Sequence, residues 1–237
     1  MNANTDPIGK YITVAMITKN EEKAVAGVIQ DIKKIVPEAE IIIVDSSQDE
    51  TPSIAKACGA TVIRQFPACG YGPAMERALR EANRQVIITL DCDNTYPAQK
   101  IPELAALILN EGYDLVNTSR LQKKPQAMPW LNYLGNLTFA WFASLLFFQR
   151  FTDLHSGMRA YRKTMLDNLQ FDAKGEALPV ELLLKPIISG YKVHTIFIDY
   201  QERIGYSKLN TWGTIWWTLK RIIKVRMHST VKLGLTL

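Results

Sequence analysis

The chain has 237 residues, the size of one large domain or of a domain with an appendage. Hydrophobic residues make up 47% of it and charged residues 22%, which is a globular composition and excludes a disordered or fibrous chain. The net charge of +5 at pH 7 is compatible with an anionic partner, but it does not distinguish nucleic acid from phospholipid or a phosphorylated substrate.

Cysteine usage and the first residues indicate the compartment. Cys58, Cys69 and Cys92 are odd in number and show no C-x-x-C spacing, so they predict neither a disulfide framework nor a zinc site. Residues 1–10 are polar and lack the apolar stretch of a secretory signal. We therefore expect a cytoplasmic protein.

Short β-branched runs alternate with helical patterns over about the first 120 residues. Strands are predicted at 11–17, 40–44, 61–64, 86–90 and 114–118. Helices are predicted at 20–35, 51–58, 71–83 and 98–110. Such alternation predicts an α/β fold with a Rossmann-like, mostly parallel sheet and helices on both faces.

Residues 125–149 carry no charge, and within them Leu137–Phe148 is strongly apolar. A membrane-spanning helix is disfavoured, because Pro125 and Pro129 interrupt the stretch and its apolar part is shorter than the roughly 20 residues that a span requires. We expect a helix at about 125–150 that lies on or in the membrane surface. The alternative is a buried core helix or a protein interface, which leaves homo-oligomer formation open.

Residues 211–237 follow an α/β domain predicted at 1–210, and they have the pattern of an amphipathic basic helix. Apolar residues recur there at helical spacing, at Trp212, Ile215, Trp216, Leu219, Ile222 and Ile223. Lys220, Arg221 and Lys224 occupy the other side. This pattern is typical of a helix at a membrane interface, where each cation near anionic headgroups contributes roughly 1 kcal/mol. The alternative is a packing helix with a solvated basic face.

Two acidic residues follow the fourth predicted strand directly. Asp91 and Asp93 come after residues 86–90, and ligands of open α/β sheets bind beyond the carboxyl ends of strands. Two carboxylates at alternate positions suit Mg²⁺ or Mn²⁺, which bind oxygen ligands together with substrate phosphates. The alternative is that both aspartates only form a turn.

Polar residues also follow the first two predicted strands. Asp45 is positioned to accept a hydrogen bond from a ribose or a base, although Ser47 or Asp49 in the same stretch would also suit a helix-capping turn. Asn20 and Glu21 follow the first strand. Because these positions fall at equivalent sheet edges, we predict that one pocket collects them.

Six stretches, in their order and spacing, resemble the family 2 glycosyltransferases, and within them the dolichol-phosphate mannose synthases and bacterial polyprenyl-phosphate glycosyltransferases. The stretches are ITKNEE (17–22), VDSSQDET (44–51), GYGPAMERAL (70–79), LDCDNTYP (90–97), TDLHSGMRAY (152–161) and QERIGYSKLN (201–210).

The resemblance implies a GT-A fold and inverting transfer of a sugar from a GDP- or UDP-linked donor to a dolichyl or undecaprenyl phosphate. It further implies a peripheral enzyme on the cytoplasmic face of a membrane, with no nucleic acid partner. The alternative is the same donor chemistry with a soluble hydroxyl acceptor, either a glycan or a small molecule.

The resemblance also implies roles for matching residues. It assigns the nucleotide sugar to Thr18, Asn20, Glu21, Asp45, Asp91 and Arg120. It assigns Mg²⁺ or Mn²⁺ to Asp91 and Asp93, with a weak third contact from Thr95 where the family usually has glutamine. It assigns the substrate phosphates to Arg203, Ser207 and Lys208, since a guanidinium binds phosphate bidentately and lysine adds a compact charge.

Asp93 and Asp153 are predicted to be catalytic. Asp153 is expected near the acceptor, where it would orient the nucleophile or accept its proton. His155 is expected to be structural, and Glu181 is expected either to contact the sugar or only to pair within a helix. Lys19 stands where the family often has an aromatic residue against the base, which leaves the identity of the base open.

Overall fold

The structure is a computed structural model that describes residues 7–175, 177–205 and 211–234, with side chains of the last stretch described from 213 to 228. The strands are β1 (Ile12–Thr18), β2 (Glu40–Asp45), β3 (Thr61–Arg64), β4 (Val86–Thr89), β5 (Leu115–Ser119), β6 (Arg159–Arg162) and β7 (Val193–Phe197). The helices are α1 (Val25–Ile35), α2 (Thr51–Ala57), α3 (Tyr71–Glu81), α4 (Ile101–Leu109), α5 (Trp130–Phe147), α6 (Lys163–Asn168), α7 (Leu178–Ile188) and α8 (Thr211–Gly234).

The seven strands form one sheet in the order β3-β2-β1-β4-β6-β5-β7. Neighbours are parallel except where β6 lies antiparallel between β4 and β5. Strand β1 lies inside the sheet between β2 and β4, and its alternate side chains point to opposite faces, as the pleat requires. Val14 and Met16 pack in a core cluster with α1 and α4, whereas Ala15 packs in a second cluster with α3 and α7. The predicted α/β sheet with helices on both faces is therefore confirmed.

The first predicted helix begins later than expected. Helix α1 starts at Val25 rather than at Asn20, because Asn20 adopts a positive φ of 54° that no helix accommodates. The Asn20 N–H donates to Ser47 Oγ at 2.7 Å, and the Glu21 N–H donates to Thr51 Oγ1 at 2.8 Å. These bonds join the chain after β1 to the chain after β2, so the turn is fixed by tertiary contacts.

Strands β6 and β7 have no counterpart among the predicted strands. Arg159 begins β6 and is fully buried inside the sheet. Arginine is seldom fully buried, so its presence in the sequence does not predict a buried strand. Its guanidinium donates to Asn117 Oδ1 at 2.7 Å, to the Leu154 carbonyl at 2.8 Å and to the Pro179 carbonyl. Three acceptors, two of them from distant parts of the chain, therefore make the buried charge tolerable.

Helix α5 packs on α8 through one face and exposes an apolar stripe on the other. Ala140 and Ala143 are buried, so the helix is partly a core helix. The exposed stripe consists of Leu131, Leu134, Trp141 and Leu145, at successive spacings of three, seven and four residues, and continues to Phe148 just beyond the helix. Among the described helices, none is long and apolar enough to cross a bilayer.

Helix α8 corrects the predicted division into an apolar and a basic face. Arg221 and Ile222 are both buried, whereas Trp216, Ile223 and Met227 are exposed. Arg221 was expected on the basic outer side, but it pairs with Glu181 of α7 beneath the helix. The outward face therefore combines apolar residues with Lys220, because tertiary packing selects a different stripe from the one that helical spacing suggested.

Candidate active site

A cavity of about 550 Å³ opens where β1, β2 and β4 end at their carboxyl edge. Polar residues from these strand ends and from the chain after β7 line one part of its wall: Thr18, Glu21, Ser46, Asp91, Asp93 and Arg203. Small and aromatic residues line another part: Ala68, Tyr71, Ala74, Gly175 and Trp217. Of the strand-end residues predicted to meet in one pocket, Glu21, Asp91 and Asp93 line the cavity, whereas Asn20 and Asp45 do not.

Asp91 faces the cavity in a space that a glycine leaves open. A Cβ on Gly157 would lie 2.8 Å from Asp91 Oδ2, so any side chain there would force the carboxylate to shift. Gly157 is held by its N–H, which donates to the Tyr96 hydroxyl at 2.7 Å, and by its carbonyl, which accepts from Thr89 Oγ1 at 2.8 Å. Burial, followed by the neighbouring charge of Asp93, raises the pKa of Asp91 to about 7.

Asp93 is oriented by Thr95 and neutralised by Arg203. Its Oδ1 accepts from the Thr95 hydroxyl at 2.6 Å and from the Thr95 N–H at 3.1 Å. Its Oδ2 lies 2.9 Å from Arg203, which also reaches Glu21 Oε1 at 3.1 Å. Thr95, predicted as a third metal contact, is thus buried behind the carboxylate and does not line the cavity. Arg203 joins Asp93, predicted to hold the metal, to Glu21, predicted to hold the nucleotide sugar.

Asp45 is fully buried rather than presented to the cavity. Its Oδ1 accepts from Thr18 Oγ1 at 2.7 Å and from Ser47 Oγ at 2.6 Å. Its Oδ2 accepts from the Ser47 N–H at 3.1 Å and pairs with Arg64 of β3. Asp45 therefore orders Thr18 and the following loop, and a direct contact with a nucleoside would require Arg64 to move.

Asp153 is paired with Arg120 and does not line the cavity. The two form a bidentate ion pair, with Nε–Oδ2 at 2.7 Å and Nη2–Oδ1 at 3.0 Å, and Asp153 has no exposed surface. Burial raises the pKa of Asp153, but the Arg120 guanidinium outweighs burial and holds that pKa below its usual range. Arg120 also lies 5.3 Å from the Tyr200 ring. The structure thus makes Asp153 an ionised partner of Arg120.

His155 and Glu181 contact helix α8. His155 Nε2 lies 2.8 Å from Thr218 Oγ1, and burial lowers the pKa of His155 to about 4, so its ring is neutral at pH 7. Glu181 is buried and pairs with Arg221 and with Lys185, the latter at 2.6 Å. These contacts agree with the structural interpretation of His155 and with pairing by Glu181. Two predicted phosphate ligands, Ser207 and Lys208, lie outside the described residues.

Sequence reasoning missed Gly157, Arg64, Gly175 and Trp217. Gly157 lies inside a stretch that carries the family resemblance, but the need for glycine arises from Asp91, which is distant in sequence. Trp217 sits beside the predicted interface residue Trp216, and only the direction of the helix determines which indole points inward. No local signal distinguishes these positions.

Solved structures with the same architecture include glucosyl-3-phosphoglycerate synthase from Mycobacterium tuberculosis in complex with UDP. It superposes with a TM-score of 0.74 over 92% of this chain and 80% of that chain, at 20% identity. The same enzyme in complex with Mn²⁺, UDP-glucose and phosphoglyceric acid gives a TM-score of 0.72 at 21% identity, over 92% of this chain and 80% of that chain. The likeness to these structures shows that the chain has the GT-A fold.

Sequence comparison identifies the family within that class. Residues 13–170 match the profile described as glycosyl transferase family 2. The chain is 40% identical over 223 residues, 94% of its length, to a dolichyl-phosphate hexose transferase of Haloferax volcanii, of which the match covers 96%. A low-salt glycan biosynthesis hexosyltransferase of the same organism is 28% identical over 91% of this chain and 54% of its own length. The chain belongs to glycosyl transferase family 2.

Proposed function

We propose that the chain transfers a hexose from a nucleoside diphosphate sugar to a polyprenyl phosphate, with inversion at the anomeric carbon, at the cytoplasmic face of a membrane. The observation that carries this proposal is the 40% identity, over nearly the full length of both chains, with a protein named as a dolichyl-phosphate hexose transferase. Transfer to a soluble hydroxyl acceptor is the outcome that would replace it.

The polar wall of the cavity suits the donor nucleotide together with Mg²⁺ or Mn²⁺. Asp91 and Asp93 both face the cavity, and Arg203 now pairs with Asp93 Oδ2, so binding of a metal ion there would require Arg203 to turn toward the substrate phosphates. Among the described residues, no group of three or more His, Cys, Asp or Glu side chains is arranged to hold a metal. Two carboxylates plus substrate phosphates remain a sufficient set for these ions. Held there, the ion would neutralise the diphosphate leaving group.

A phosphate acceptor needs no general base, which is consistent with the burial of Asp153 in an ion pair. A lipid phosphate oxygen is anionic at neutral pH, so its attack on the anomeric carbon requires positioning more than proton removal. Asp153 is committed to Arg120 and has no exposed surface, so we assign it the positioning of that guanidinium. Arg203, which lines the cavity, then supplies positive charge for the substrate phosphates, together with Arg120 and Lys208 by resemblance.

The exposed stripes of α5 and α8 support the membrane assignment. No acidic residue lies between 115 and 152, and Lys124 stacks 5.0 Å from the Trp130 ring at the start of α5. Arg150 is exposed just beyond the end of α5. An exposed apolar stripe with cations at both ends suits an anionic lipid surface.

Replacing Trp141, Leu145 and Trp216 together with serine should weaken binding to vesicles that contain anionic lipid by at least about tenfold. Each buried apolar side chain contributes roughly 1.5–3 kcal/mol to such partitioning. Vesicle cosedimentation measures the effect, with Phe197→Ser on the edge strand β7 as the matched control. Unchanged binding of the triple variant would remove the membrane assignment of these helices.

Gly157→Ala should lower hexose transfer roughly 10- to 100-fold while the fold is retained. The new methyl group would displace the Asp91 carboxylate, and a misplacement of about 1 Å in a reacting assembly has effects of this size. Initial rates and Mn²⁺ affinity measure the effect. Gly27→Ala is the control, because a Cβ there meets no atom within 4 Å. Equal rates for both variants would contradict the proposed role of Asp91.

The proposed function is tested by transfer of labelled hexose from a panel of nucleotide sugars in the presence of Mn²⁺ or Mg²⁺. A polyprenyl phosphate, the corresponding alcohol and a soluble phosphorylated hydroxy acid serve as acceptors. Label in the lipid phosphate alone supports the proposal and identifies the donor. Label only in a soluble acceptor would replace the lipid with that class of acceptor.

A further inference from the structure

Helix α8 makes three inward contacts within little more than one turn. Trp217 lines the cavity, Thr218 bonds to His155, and Arg221 pairs with Glu181. Thr218 and Arg221 are buried on the inner side of the helix, while Trp216 and Ile223 are exposed on the outer side. The helix proposed to lie on the membrane therefore also forms part of the cavity wall.

The Trp217 indole packs directly on the backbone of Gly175. Any Cβ on Gly175 would overlap the indole, and Gly175 has a φ of +86°, a conformation that favours glycine. On its other side, the same segment packs on α3, because a Cβ on Gly72 would overlap the Ala173 carbonyl. The position of α8 therefore determines the position of the cavity wall that Trp217 and Gly175 form.

A buried ion pair fixes α8 and the Gly175 segment together. The side chains of Glu181 and Arg221 are 1% and 3% exposed. Arg221 also donates to the Lys174 carbonyl, and Glu181 Oε1 accepts from the Asp172 N–H at 3.0 Å. A buried ion pair contributes little net stability compared with an apolar pair, and its best-supported role is to select one packing arrangement.

We propose that Glu181 and Arg221 are positioning residues for acceptor binding, because they hold Trp217 against Gly175 to form the apolar wall of the cavity. This inference rests on the proposed function. The nucleotide and its phosphates require the polar wall, whereas Trp217, Tyr71, Ala68 and Ala74 offer apolar surface suited to the isoprenoid next to the acceptor phosphate. Trp216 and Ile223 face outward on the same helix, where a membrane-held acceptor arrives.

The test is Glu181→Gln, which keeps the shape of the side chain but removes its charge. We expect the KM for polyprenyl phosphate to rise about tenfold, because the wall is misplaced, while the KM for the sugar donor and the affinity for Mn²⁺ with nucleoside diphosphate stay unchanged. Lys185→Met is the matched control, since it removes the other ion-pair partner of Glu181 without touching the wall. It should leave both KM values unchanged.

Trp217→Ala provides a second variant if Glu181→Gln does not fold. It removes the wall itself, and the KM for the acceptor should rise at least as much. Unchanged acceptor KM in a folded variant, or donor and acceptor parameters that worsen equally, would overturn the inference. An unmodified protein that transfers hexose to no polyprenyl phosphate would instead overturn the proposed function, so the two failures are distinguishable.

Discussion

Asp93→Asn should reduce hexose transfer by at least about 10³-fold while leaving the fold intact. The amide keeps the size of the side chain, and its oxygen can still accept from Thr95, so local packing is preserved. It removes the charge that we assign to the metal and that Arg203 now neutralises at 2.9 Å. Loss of electrostatic stabilisation at the leaving group has effects of this order.

Initial rates at saturating Mn²⁺, together with Mn²⁺ binding by electron paramagnetic resonance, measure the loss. Asp167→Asn is the matched control, because Asp167 forms an exposed pair with Lys163 on α6. A thermal melt of both variants separates loss of chemistry from loss of structure. Full activity of Asp93→Asn would show that the essential carboxylates lie elsewhere.

Asp153→Asn should lower the free energy of unfolding by about 3–5 kcal/mol. Both members of the Asp153–Arg120 pair are buried, and removing one partner leaves a charge without compensation in the interior. The pKa of Asp153 is held below its usual range, so the carboxylate is ionised at neutral pH and its charge is what the substitution removes.

Urea unfolding measures this loss, and Asp167→Asn again serves as the control, with an expected change within about 0.5 kcal/mol for an exposed pair. Combining Asp153→Asn with Arg120→Met should cost less than the sum of the two single changes, because the second removes the stranded charge. A loss below about 1 kcal/mol for Asp153→Asn would mean that the pair does not position Arg120 as we describe.

Local patterns account for the part of the fold that could be predicted. Residues 12–119 follow the predicted alternation closely, and β3 has the predicted bounds of Thr61–Arg64. Strand and helix periodicities are properties of a few neighbouring residues, so they are readable without the tertiary structure. The strand-end acids were readable for a related reason, since parallel strands bring their carboxyl ends to one edge of a sheet.

The amino-acid sequence was therefore enough to predict the α/β class, the family and three acidic residues of the polar wall, Glu21, Asp91 and Asp93. The folded structure was needed to show that β6 enters the sheet antiparallel, that Asp153 forms a buried pair with Arg120 and that Arg221 turns inward. Each of these outcomes depends on a partner that is distant in the chain. The sequence does not show whether a charged side chain will be exposed to water or paired with a buried counter-ion. The counter-ion is brought into place only when the chain folds.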